Sequence, residues 1–118
     1  MISQLSPADF TAWRDSLGEG APAPVVLDVR EPWELQTASV KEDGFRLMHI
    51  PMREVPARIE VLREELAPGQ SIACLCHHGM RSLQVANFLA QSGFSGVVNL
   101  HGGIDAWSKQ RDATVPLY

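Results

Sequence analysis

The stretch SIACLCHHGMRS, Ser71 to Ser82, decides how the chain folds. Ser71 to Leu75 is a short apolar run of strand type. It passes into a tight polar loop, Cys76-His77-His78-Gly79-Met80-Arg81, and then into a segment with helical spacing. A cysteine between a strand end and a helix start faces unpaired backbone N–H groups and the positive end of the helix dipole. That setting favours the thiolate, which is the nucleophilic form. Arg81 adds a fixed positive charge five residues on, and His77 and His78 are placed to add partial charge. Gly79 allows backbone turns that a Cβ would forbid. The segment therefore predicts an anion-cradling loop around one reactive cysteine.

Working outward, the same alternation repeats. Upstream, Val55, Ile59, Leu62 and Leu66 mark an amphipathic helix that Pro68-Gly69 stops. Downstream, Val85, Phe88 and Leu89 give the next helix an apolar face and Gly93 closes it. Gly96 to Leu100 is a strand, His101-Gly102-Gly103 a turn, Ile104 and Trp107 lie on a short helix, and Arg111 to Tyr118 is a tail. Nearer the start, a brief strand precedes a helix with Ser6 as its cap, Pro7 at the first position, and Asp9 completing a capping-box-like pattern. Leu5 and Phe10 are spaced for a hydrophobic staple, and Phe10, Trp13 and Leu17 face the core. Gly18 to Pro24 is a loop. Val25 to Arg30 is nearly all apolar, which suits a strand buried on both faces. Pro32 starts another helical turn, Thr37 to Phe45 has little periodicity, and Arg46 to Ile50 is a strand ended by Pro51. Five strands alternating with helices predict one α/β domain over residues 1–118, a mostly parallel sheet with helices on both faces.

Composition narrows the function. The net charge of −4 with no basic block argues against nucleic acid as a partner. No apolar run approaches the roughly 18 residues of a membrane span. MISQLSPADF shows neither the basic nor the apolar part of a secretory signal, so a cytoplasmic location is expected. Cys74 and Cys76 are too close in sequence for an ordinary disulfide. Cys74-x-Cys76-His77-His78 invites a metal reading. Adjacent ligands on one strand and loop rarely wrap a tetrahedral ion, and no second ligand pair appears, so no metal is expected. There is no dinucleotide fingerprint and no P-loop, and no cofactor is expected. Asp28 and Arg30 admit two readings: a salt bridge at a polar strand end, or ligand contacts at the carboxyl edge of a parallel sheet. Cys74 reads as a small core residue. His49, His101 and the three tryptophans read as structural.

Four segments in this order and spacing resemble a single-domain rhodanese-like sulfurtransferase: Asp28-Val29-Arg30-Glu31, His49-Ile50-Pro51, Cys76-x-x-Gly79-x-Arg81-Ser82, and Gly102-Gly103-Ile104-x-Ala106-Trp107. The resemblance covers nearly the whole length. It implies a three-layer α/β/α fold with a five-stranded, mostly parallel sheet. It implies that Cys76 takes the outer sulfur of a small anionic donor such as thiosulfate, forms a persulfide, and passes the sulfur on. Acceptors in such a scheme are cyanide, a low-molecular-weight thiol or a sulfur-carrier protein. Arg81 and Arg30 carry over as anion-binding residues, and the backbone of His77, His78, Gly79, Met80 and Arg81 as the cradle for the terminal sulfur. Four residues separate Cys76 from Arg81, one fewer than in cysteine phosphatases of related architecture. The shorter loop suits a persulfide better than a phosphoryl group. The alternatives are a protein-fed persulfide relay, a catalytically silent binding module, and a small phosphatase or arsenate reductase. Met52-Arg53 stands where the family usually has Gly-Ala, and residues 37–45 depart from its familiar spacing.

Overall fold

The computed structural model describes residues 2–118. Its five strands are β1 (Ser3–Leu5), β2 (Val25–Asp28), β3 (Arg46–His49), β4 (Ile72–Leu75) and β5 (Val97–Leu100). They alternate with α1 (Phe10–Ser16), α2 (Pro32–Thr37), α3 (Ile59–Glu65), α4 (Met80–Gln91) and α5 (Gly103–Gln110). The strand order is β1-β5-β4-β2-β3, and every pairing is parallel. The sheet is thus wholly parallel, as crossover helices between successive strands require.

Side chains alternate between the faces of each strand, so the sheet divides the interior in two. On one face Val25, Leu27, Ile72, Cys74 and Cys76 pack with Leu62, Val85, Ala86 and Leu89 from α3 and α4. On the other, Val26, Ala73, Leu75 and Leu100 pack with Phe10, Ile104 and Trp107 from α1 and α5. Every residue of β2 and β4 is buried, which explains their near-continuous apolar runs. Phe10 anchors the second face, with its ring 5.2 Å from Trp107 and 5.5 Å from Phe45.

Three local expectations change. Ser6 makes no side-chain cap, and its carbonyl instead accepts the Asp9 N–H at 2.9 Å because Pro7–Asp9 is a tight 3-10 turn. The amphipathic segment after Pro51 enters its α-helix only at Ile59. Met52–Glu54 and Pro56–Arg58 are 3-10 turns, since Pro56 has no N–H to continue the hydrogen-bond ladder. Arg111 to Tyr118 is more than a tail. Val115 is buried, its carbonyl accepts the Ser108 hydroxyl at 2.6 Å, and the chain turns back to the carboxyl edge of the sheet.

That edge is level. β2 and β4 pair Leu27 with Cys74 and Asp28 with Leu75, and the Val29 N–H donates to the Leu75 carbonyl at 3.0 Å. The residues that follow these strands, Val29 and Cys76, therefore emerge side by side, with Arg30 one residue further along. No helix among the described residues is long and apolar enough to cross a membrane.

Candidate active site

Cys76 follows β4 and is 1 % exposed. Its Sγ receives the Gly79 N–H at 3.1 Å and lies 3.2 Å from the Ser82 hydroxyl. Gly79 reaches this position with φ +100°, a conformation L side chains rarely adopt. The first backbone bond of α4 runs from Leu83 to the Gly79 carbonyl. The N–H groups of His77, His78, Met80 and Arg81 donate to no acceptor among the described residues. The loop thus keeps a set of free donors next to the cysteine.

The loop's carbonyls are held by α5. Ile104 N–H donates to the Cys76 carbonyl at 2.8 Å, and Asp105 N–H to the His77 carbonyl at 3.2 Å. This explains the paired glycines before Ile104. Gly103 has φ +63°, and a Cβ there would overlap the carbonyl oxygens of Cys76 and His77. Gly103→Ala is therefore expected to destabilise the fold by about 2–4 kcal/mol, combining backbone strain with overpacking. A urea midpoint equal to that of the parent protein would contradict this account of the loop.

The charged groups form a closed network. Arg81 makes a two-pronged ion pair with Glu34 of α2, at 2.7 and 2.9 Å. Glu34 is 3 % exposed and also accepts the Tyr118 hydroxyl at 2.7 Å. The Arg81 hydrogen bonds, outweighing burial and helped by Tyr118, hold the Glu34 carboxyl down at about 2. The same pairing raises Arg81. Burial, chiefly, pushes the Tyr118 phenol up to about 12.

Arg30 is fully buried, and this corrects its expected role as an anion-binding residue. Its Nε and Nη2 bond Asp28 at 2.7 to 3.1 Å, Nη2 also reaches the Ala38 carbonyl at 2.9 Å, and Nη1 reaches the Glu34 carbonyl at 3.3 Å and the Tyr118 hydroxyl at 2.8 Å. Burial works against its charge, but Asp28 and Tyr118 outweigh burial and raise its pKa. Its N–H groups are spent on bracing the α2 segment. His49 adds to the brace through a 2.7 Å hydrogen bond to the Arg30 carbonyl.

The Glu34 pairing carries a pH signature. A carboxyl whose folded value lies below its ordinary value stabilises the fold above that ordinary value. The contribution is lost as pH falls from 4.5 towards about 2. It should amount to about 2–3 kcal/mol, because Arg81 is partly open to solvent. Urea midpoints followed downward through this window should fall steeply for the parent protein and less for Glu34→Gln. Equal slopes would show that the pair adds nothing.

The remaining residues line the rim. His77 stacks on Tyr118 with centroids 3.8 Å apart, and its Nε2 hydrogen-bonds the Tyr118 carbonyl at 2.7 Å. His78 stacks on His77 and is exposed. The Met80 side chain is 71 % exposed. Cys74 is buried beneath the loop, and burial pushes its thiol up, as suits a core residue. Among the described residues no group of three or more His, Cys, Asp or Glu side chains is arranged to hold a metal.

The sequence reading missed Glu34 and Tyr118. Glu34 stands three residues after Glu31 and two after Pro32, in the first turn of a helix that starts at the sheet's carboxyl edge. Its side chain accepts the Glu31 N–H at 3.0 Å, a helix-start pattern visible in the sequence. Tyr118 gives no local signal, because its partners lie 41 to 88 residues away.

The architecture is that of a wholly parallel α/β domain with one buried cysteine in a donor-rich loop at the sheet's carboxyl edge. Comparison with known proteins gives the family: the chain belongs to the rhodanese-like domain family, whose sequence model matches residues 11–110. Rhodanese-like/PpiC domain-containing protein 12 of Arabidopsis thaliana is 39 % identical over 93 residues, 79 % of this chain, which spans only 30 % of that protein. Thiosulfate sulfurtransferase GlpE of Pseudoalteromonas translucida is 32 % identical over 85 residues, covering 70 % of this chain and 71 % of that protein. The crystal structure of a rhodanese-related protein from Thermoplasma volcanium superposes with a TM-score of 0.72 at 29 % identity, covering 98 % of this chain and 99 % of that one.

Proposed function

We propose that the chain is a sulfurtransferase that carries sulfane sulfur as a persulfide on Cys76, with thiosulfate as a competent donor. The observation that carries this reading is the Cys76 Sγ seated against the Gly79 N–H, within a loop whose other N–H groups have no protein partner. Such donors stabilise a soft anion held in one place, at no reorganisation cost during the reaction.

In the first half-reaction the Cys76 thiolate attacks the outer sulfur of the donor. A sulfur–sulfur bond forms to Cys76, the donor's own bond breaks, and sulfite leaves with the electron pair. The backbone of His77, His78, Gly79, Met80 and Arg81 cradles the terminal sulfur. In the second half-reaction a nucleophile, cyanide or a thiol, attacks that sulfur and the Cys76 thiolate is released. Arg81 contacts the donor through the N–H groups that Glu34 leaves free. Glu34 offsets its charge, so thiosulfate meets no unpaired guanidinium, which favours a protein or thiol persulfide as the better donor.

Intact-protein mass spectrometry tests the reading. Incubation with thiosulfate or with an organic persulfide should add one sulfur at Cys76, and cyanide should remove it. A folded protein that gains no sulfur from either donor would overturn the proposal.

A further inference from the structure

Behind Cys76, buried polar side chains continue from the sulfur into the sheet. Ser82 is 0 % exposed, with Oγ 3.2 Å from Cys76 Sγ and 2.6 Å from Asn99 Oδ1. Asn99 lies on β5 and is also buried. Its Nδ2 donates to the Gly79 carbonyl at 3.1 Å and to Gln4 Oε1 at 2.9 Å. A carbonyl only accepts, so Gly79 fixes which way the Asn99 amide faces and leaves Oδ1 as an acceptor towards Ser82. The Ser82 hydroxyl therefore has one proton and two acceptors.

The charge on the sulfur decides between them. A thiolate is an ionised acceptor, and hydrogen bonds to ionised groups are roughly twice as strong as neutral ones. A thiol, or the inner sulfur of a persulfide, is neutral and accepts weakly. The short bond to Asn99 wins in those states, and the bond to sulfur wins when the thiolate is present. Resting on the persulfide reading above, we infer that Ser82 is a second catalytic residue. It donates to Cys76 Sγ as the thiolate departs, and Asn99 is the positioning residue that holds the hydroxyl between turnovers.

The two half-reactions feel this bond in opposite directions. During discharge the acceptor attacks the outer sulfur, the sulfur–sulfur bond breaks, and its electron pair returns to Cys76 Sγ. Charge appears next to Ser82, so its hydrogen bond strengthens on the way to the transition state. During loading the same charge leaves Sγ, so the bond weakens. No proton is transferred in either step; the hydroxyl only turns.

Single-turnover kinetics separate the steps. In Ser82→Ala, cyanide discharge of the preformed persulfide should slow about 10-fold, the scale of one hydrogen bond to a charged group. Loading by thiosulfate should change little or speed up, since the nucleophile loses a stabilising donor. Ser82→Thr and Ser82→Val, nearly equal in shape, repeat the comparison at constant volume. The Thr variant should keep the ratio of the two rates found in the parent, and the Val variant should lose it. If Ser82→Ala discharges at the parent rate, or if both steps slow equally, the inference fails while the persulfide reading stands. If the parent protein takes up no sulfur, both fail.

Discussion

Cys76→Ser should abolish sulfur transfer while leaving the fold intact. The change replaces one buried atom with a smaller one of similar shape. The new hydroxyl can still accept the Gly79 N–H and face Ser82, so the loop keeps its contacts. Stability should shift by about 1 kcal/mol or less. The chemistry does not survive. A serine hydroxyl is a weak nucleophile without an adjacent base, and the groups that touch the sulfur are a backbone N–H and a second hydroxyl, neither of which is a base. Turnover should fall by about 10³-fold or more, the usual scale for loss of a covalent nucleophile. Cys74 remains in this variant but is fully enclosed in the strand, so it should gain no sulfur. Retained transfer, or a sulfur adduct on Cys74, would defeat the assignment of Cys76.

How much of this was legible in the sequence follows from the range of the interactions involved. The strands and helices rest on local patterns: apolar runs at residues 25–27 and 72–75, helical spacing at Val85, Phe88 and Leu89, and glycines at positive φ where elements stop. The cysteine loop was legible for the same reason, since the contact between Gly79 and Cys76 spans three residues. What failed to show depends on contacts far apart in the chain. Arg81 meets Glu34 across 47 positions and Arg30 meets Tyr118 across 88. A charge pattern tells that Arg30 lies near the end of a strand, but not whether its guanidinium faces solvent or an enclosing segment. Residues 37–45 do the enclosing: Ala38, Val40 and Phe45 are buried and the Ala38 carbonyl receives Arg30. A stretch without periodicity gave no hint of that. Ser82 was visible as a motif letter, but its 2.6 Å bond to Asn99 on β5, 17 positions on, was not.

Arg30→Met is the variant expected to cost the most stability. Arg30 and Asp28 are both fully buried and paired at 2.7 Å. Removing the guanidinium strands the Asp28 carboxylate, and it also frees the Ala38 and Glu34 carbonyls and the Tyr118 hydroxyl from a shared donor. Breaking a buried pair from one side costs about 3–5 kcal/mol, because an uncompensated charge remains inside. Domains of this size have only about 5–15 kcal/mol to lose, so a large drop in the urea midpoint is expected. The double variant Asp28→Leu/Arg30→Met should regain part of the loss, since the stranded charge is then gone. An anion-binding Arg30 would behave otherwise: the KM for thiosulfate would rise while the urea midpoint stayed at the parent value, and that pattern would refute the bracing role. The bracing role in turn sets the order of effects on activity. Arg30 holds the Tyr118 hydroxyl, Tyr118 donates to Glu34, and Glu34 holds Arg81. Sulfur loading in Arg30→Met should therefore weaken through a loosened Arg81, and it should weaken in step with stability as urea is raised.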